Sequence, residues 1–330
     1  MRQHFSIYTA LLLFGAAGCS SSDDATTPSA NDSTPPVNQN RKAYVGLFGD
    51  QSVGVLDTVT NQVVKTIPVT QPDGLIITPD GKKVYVSSMD SGSVKVITTA
   101  DDAVATSIDV GAKPAGISVT PDGSRVVVSV GGANEAVIVD TSTDTVVKHV
   151  AVPSAHSSCI TADGHYAYVG SQAMGAPAVV EIDLTGDEPA KTMPVDKSPR
   201  ALSCTANKVY FTAVGLDAVE VLDPETGTLA TPIASGGSPH DVRATVDGKF
   251  ELTVSQTAGD LEFIDAASDT VVANVPTGKL AHWITLFKDG SSAYVTNEGD
   301  NNVVLVDLAS RTVSKTIAVG KAPRKMAIQP

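Results

Sequence analysis

Charge and aromatic rings are both scarce in this chain of 330 residues: charged side chains make up 18% and aromatics 5%, with a single Trp. Globular domains usually carry about 25% charged residues, so much of this chain's surface must face other protein surface rather than water. Positive charge is the scarcer sign, since 23 Lys and Arg against 36 Asp and Glu leave a formal net charge of -13. Binding along phosphates needs a basic footprint, so nucleic acid is excluded as a partner, as is attachment to anionic lipid by charge alone. The three cysteines do not have the spacing of a structural zinc site. There is no Gly-x-Ser-x-Gly, no His-Glu-x-x-His, no Cys-x-x-Cys and no phosphate or dinucleotide loop. An enzyme whose site is assembled from several loops would show no such motif, so catalysis stays open. What is present is 42% hydrophobic residues, enough for a large core, with Val and Thr recurring throughout as strands prefer.

Phe5 to Gly18 carries no charge, follows Arg2 and contains Leu11, Leu12, Leu13 and Phe14. It is shorter than the ~20 residues of a membrane span and suits the core of a signal peptide. It ends in Ala16, Ala17, Gly18 and Cys19. Small residues before a Cys resemble the bacterial lipoprotein signal, although Ala16 stands where Leu is usual. The resemblance implies cleavage after residue 18, lipidation of Cys19 and a membrane-anchored, extracytoplasmic protein. With Ser20 after Cys19, it implies the outer membrane of a Gram-negative cell. A plain secretory signal with an incidental Cys is the other reading. Residues 19–40 hold no Lys, Arg or aromatic side chain. Such a segment cannot bury enough apolar surface to offset its ordering entropy and reads as a disordered tether.

From Arg41 to Pro330 the chain repeats itself. Asp-Gly pairs end at Gly81, Gly123, Gly164, Gly248 and Gly290, spaced by 42, 41, 84 and 42 residues, with Ala206-Asn207 standing in for the turn missing from the double interval. A period near 42 belongs to propeller arrays, and residues 41–330 hold about seven such units. Each unit has four short β-branched runs, such as Pro114 to Thr120, Arg125 to Ser129, Ala136 to Asp140 and Thr145 to Val150. Gly, Asn and Asp bound them, and none is long enough for a helix. The expected fold is all-β: a seven-bladed propeller of four-stranded antiparallel blades. Lys42 opens on the second run of a unit, and Ala322 to Pro330 supply a first run. Pairing the two closes the ring and removes an open sheet edge.

The unit resembles the YVTN-family β-propeller repeat. Tyr294-Val295-Thr296-Asn297 carries the signature, and Val303 to Asp307 and Ile317 to Gly320 continue it. The similarity spans residues 41–330 and is weakest around Gln172 to Pro177, Gly186 to Pro189 and Ala206-Asn207. It implies a seven-bladed propeller in an extracytoplasmic protein and no single chemistry.

Repeated polar residues read as structural. Asp57, Asp140, Asp183, Asp223, Asp265 and Asp307 end third runs and suit turn caps. Thr78, Thr120, Thr161, Thr205 and Thr245 end first runs in the same way. Cys159 and Cys204 lie in neighbouring first runs, one place out of step. Alternation along a strand then turns them to opposite faces, which favours two buried thiols over a disulfide.

One set of positions varies in an informative way. The second residue of each first run is Asp73, Ala115, His156, Arg200, His240, His282 or Arg324. In a propeller the first run is innermost, so these residues meet at one mouth of the central channel. An acidic chain would thus have a locally basic mouth. It suits a small anion, with Arg200 and Arg324 as charged donors and the histidines as pH-tuned ones. Alternatively His156, His240 and His282 hold a transition metal, against the repulsion of the arginines. A third reading makes the histidines turn or packing residues. Trp283 either offers a stacking face at this mouth or packs between blades. Arg243 faces the channel or a blade interface, while His149 and His165 fall outside the ring position and are expected at the surface. The function expected is a binding platform that engages a small anionic ligand, a glycan or a protein partner at the mouth and needs no cofactor. The alternative is an enzyme, either a lactonase-like hydrolase or a lyase or redox protein with a metal on the three histidines.

Overall fold

A computed structural model describes residues 41–330 apart from Asp187. The signal segment 1–18, Cys19 and the tether 19–40 lie outside the described residues. Each expected run is a strand. In one blade Pro72–Ile77, Lys83–Ser88, Ser93–Thr98 and Ala103–Asp109 pair in sequence order, antiparallel throughout. The same meander recurs to give seven sheets.

Local chemistry explains the punctuation. Between first and second strands the chain must turn back through a left-handed residue, and Gly81 supplies it at φ +71°. Thr78 Oγ1 donates to Asp80 Oδ1 at 2.6 Å, and Lys83 N donates to Thr78 Oγ1 at 3.1 Å. After the third strand, Asp57 Oδ1 accepts from Val59 N and Thr60 N at 2.8 and 2.9 Å. Asp140, Asp223 and Asp265 accept from the equivalent backbone amides. These bonds favour the charged carboxylate, and the backbone amides hold Asp57 and Asp223 below the ordinary range. The repeated Asp and Thr residues are turn caps, as expected.

Closure follows the expected route. Pro323–Ile328 pairs antiparallel with Lys42–Leu47, setting Tyr44 opposite Ala327 and Val45 opposite Met326. The seven first strands stand side by side in a ring. Where they approach most closely only glycine fits: a Cβ on Gly74 would lie 2.1 Å from the Ala115 carbonyl oxygen.

Strand side chains alternate between the two neighbouring blades, so the apolar clusters lie between sheets. Tyr85, Val96 and Ile108 of one blade pack with Val126, Val128 and Val137 of the next. A polar latch ties the outer edges. Lys42 Nζ and Tyr44 Oη both donate to Asp102, on the following blade, at 2.8 and 2.6 Å. Lys83 and Tyr85 do the same to Asp144, and Lys208 and Tyr210 to Asp269. The fourth and fifth blades are less regular, as the sequence suggests. The outer strand of the fourth has only four residues, Lys191–Pro194. That of the fifth is split into Thr228–Leu229 and Ile233–Ala234.

The expectation of two buried thiols is overturned. Cys159 and Cys204 form a disulfide, with Cα atoms 5.7 Å apart. The reason is the geometry of facing blades. A side chain reaching forward from one blade meets one reaching back from the next, and those lie on opposite faces of their own sheets. Cys159 is the fifth residue of its strand and Cys204 the sixth. A one-place offset therefore brings them together. Ser118 and Ser158, also one place out of step on adjacent blades, meet in the same way, their hydroxyls 2.7 Å apart.

Candidate functional site

The first strands carry two kinds of surface along their length. Their second and third residues, together with Glu298 from the loop after Ser292–Asn297, line a cavity of about 170 Å³ at one mouth of the channel. Asp73, His156, Arg200, His240, His282 and Arg324 all face it, joined by Trp283, Lys325 and Ala201. The structure thus brings together the mouth residues named from sequence except Ala115, which does not line the cavity, and adds Ala201, Glu298 and Lys325.

Backbone contacts between blades hold the imidazoles. His156 Nδ1 lies 2.9 Å from the Arg200 carbonyl oxygen, and His240 Nδ1 lies 3.0 Å from that of His282. A carbonyl oxygen only accepts, so each Nδ1 carries the proton and each Nε2 keeps a lone pair. Neither Nε2 bonds another described residue. Burial drives the pKa of His240 down to about 3, helped by Arg200, and burial likewise lowers His156. The His282 ring lies 3.9 Å from that of His240, with its Nδ1 buried and without a partner among the described residues. Burial first, then neighbouring charge, pushes His282 well below the usual imidazole range. Burial thus favours the neutral form of all three rings.

The fixed charges are unevenly paired. Arg324 takes both carboxylates, with Nη1 donating to Asp73 at 3.0 Å and Nη2 to Glu298 at 3.5 Å, while its guanidinium stacks on Phe48. Arg200 has no carboxylate partner among the described residues and reaches only the Ser238 hydroxyl, at 3.5 Å. Lys325 is 7% exposed and also lacks a carboxylate within ion-pair distance among the described residues; its Nζ sits 4.5 Å from the centre of the Trp283 ring. Burial lowers its pKa, with Asp73 acting in the other direction. Three basic side chains thus face two carboxylates.

Trp283 forms the floor. Lys325 lies over its ring, as does the Arg243 guanidinium at 4.1 Å from the ring centre, and Arg243 is itself paired with buried Asp241 at 3.3 Å. Both readings of Trp283 hold, since it is buried between blades and borders the mouth. Below it lies a second chamber of about 460 Å³, walled by Leu75, Ile117, Ile160, Leu286 and Met326 and by the disulfide. His149 and His165 sit at the surface, away from both chambers. The three mouth imidazoles are not grouped as metal ligands: among the described residues no set of three or more His, Cys, Asp and Glu is placed to hold an ion.

Lys325 and Glu298 were missed for different reasons. The third residue of the first strand is Gly74, Gly116, Ser157 and Ala201 in four blades but Asp241, Trp283 and Lys325 in the other three. That change from small to large marks Lys325. Glu298 lies outside the first strand and leaves no periodic signal.

The chain is a seven-bladed propeller, and comparison with known proteins agrees at that level. Residues 199–329 match the family model of the YNCE-like beta-propeller. No curated protein matches the chain in sequence. Among solved structures, hydrazine synthase of Kuenenia stuttgartiensis aligns with a TM-score of 0.73 at 21% identity, covering 81% of this chain and 92% of that one. A protein of unknown function from Desulfotomaculum acetoxidans gives 0.75 at 15% identity, covering 88% and 99%. Apo AztD from Citrobacter koseri gives 0.66 at 14%, covering 88% and 98%. At such identities these proteins share the fold with this chain.

Proposed function

We propose that this propeller is an extracytoplasmic, lipid-anchored binding protein whose channel mouth takes a small anion. The observation that carries the reading is the pair Arg200 and Lys325, two basic side chains with no carboxylate within ion-pair distance among the described residues, in a cavity of about 170 Å³. A desolvated charge without a counter-ion is costly, and an anion seated between them makes charge-assisted bonds that relieve the cost. The cavity suits a small molecule better than a glycan chain or a protein loop. The neighbouring backbone is already fixed: Thr212 Oγ1 donates to the His240 carbonyl at 3.0 Å and Thr296 Oγ1 to that of Arg324 at 2.7 Å. A site built this way loses little entropy on binding. The Cys159–Cys204 disulfide supports an oxidising compartment. Anchoring through Cys19 rests on the sequence alone, and Cys19→Ser is expected to release the protein from membranes.

Thermal unfolding of the full-length protein with chloride, acetate and phosphate tests the site. Small anions are expected to raise the melting temperature, and Arg200→Ala is expected to abolish the rise with little change in the unliganded melting temperature. Stoichiometric bound metal, lost when His156, His240 and His282 are replaced by Ala, would overturn the anion reading in favour of metal-dependent chemistry.

A further inference from the structure

The hydrogen-bond polarity of the mouth narrows the ligand further, and this step rests on the anion reading above. Cations alone would accept any anion of the right size. The imidazoles impose a second requirement. The Nδ1 atoms of His156 and His240 are committed to the carbonyl oxygens of Arg200 and His282. Their Nε2 atoms can therefore only accept. A simple anion offers acceptors alone and would set its oxygens against those lone pairs. The matching ligand must carry a hydrogen-bond donor as well as its negative charge.

Charge decides which donor. An ammonium group would sit among Arg200, Arg324 and Lys325 and be repelled, whereas a hydroxyl donates without charge. The net charge of the site also limits the anion. Arg200, Arg324 and Lys325 exceed Asp73 and Glu298 by a single positive charge. A monoanion balances that surplus, while a phosphate dianion overshoots it beside two carboxylates. We propose that the channel mouth is a site for a small hydroxycarboxylate, with its carboxylate on Arg200 and Lys325 and its hydroxyl donating to the Nε2 of His156 or His240.

Calorimetric titration of the full-length protein with lactate, glycerate, propionate, alanine and phosphate tests this. Lactate or glycerate is expected to bind about ten-fold or more tightly than propionate, the margin that one or two neutral hydrogen bonds supply. Alanine and phosphate are expected to bind more weakly than lactate. In His156→Phe and His240→Phe the margin over propionate should close. Nitrogen NMR of the wild-type imidazoles provides a test that needs no variant: both rings should carry the proton on Nδ1. Equal binding of lactate and propionate, tighter binding of alanine or phosphate, or an Nε2-protonated form at both rings would overturn the hydroxycarboxylate and leave an anion site standing. Failure of every anion to bind would overturn both readings.

Discussion

The two ends of the channel are built from the same seven strands and share almost no chemistry. The mouth draws on second and third residues of six of these strands and gathers three cations, two carboxylates and three imidazoles. The lower chamber draws mainly on the fourth to sixth residues and is walled by branched aliphatics, hydroxyls and a disulfide. Arg243, Trp283 and Lys325 are stacked between them. The contrast shows how a repeat fold gains a site. Positions that hold blades together cannot vary freely, because they are packed from both sides. The second strand residue is only partly buried in five of the seven blades and can differ from blade to blade.

Removing the partition should have the largest effect. Trp283→Ala is expected to cost ~3–5 kcal/mol, as large-to-small changes at buried aromatics do. Denaturant unfolding followed by circular dichroism would measure it, since the sole indole is lost with the substitution. If the partition matters to the mouth, anion binding should weaken in the same variant; unchanged binding would show that the chambers are independent. Reduction of Cys159–Cys204 should act on the lower chamber alone. A loss of ~2–4 kcal/mol is expected, read as a lower melting temperature in reductant, with mouth binding retained. The smallest effect near neutrality separates the ends by pH. An imidazole in the unfolded chain titrates near 6.5, whereas folded His240 is held down to about 3. Between these values the unfolded chain binds a proton that the folded chain does not, so stability is lost as pH falls through this window. His240→Gln should flatten the dependence by up to ~1.4 kcal/mol per pH unit. The lower chamber has no group that titrates there, so Ile117→Val should leave the slope unchanged.

The fold was legible because its signals recur. Asp-Gly turns at a constant period, capped by Thr78 and its counterparts, mark blades whatever their cores contain, and a first run at the far end of the sequence implies closure. The second strand residue was legible for a similar reason, since a Pro or Ala precedes it in every blade. Relations between blades were harder to read. Alternation along one strand says nothing of how two sheets face each other, and that misled the reading of Cys159 and Cys204. The imidazole tautomers were equally hidden, because the Arg200 and His282 carbonyls that set them belong to neighbouring blades. Glu298 was missed because a single loop residue has no counterpart to be compared with.

Ring closure also imposes an order of events. Lys42 N bonds Gln329 Oε1 across 287 positions, so during synthesis the strand Lys42–Leu47 waits for nearly the whole ring before its inner partner emerges. That late strand also carries Arg324 and Lys325, two of the three mouth cations. A nascent chain therefore lacks two of the three mouth cations until the moment it can close. Such long-range pairing is slow to form. A ligand held between Lys325 and Arg200 would draw on the closed ring alone, so occupancy would act as a clasp on the seam and report that the polypeptide has been made through its closing strand.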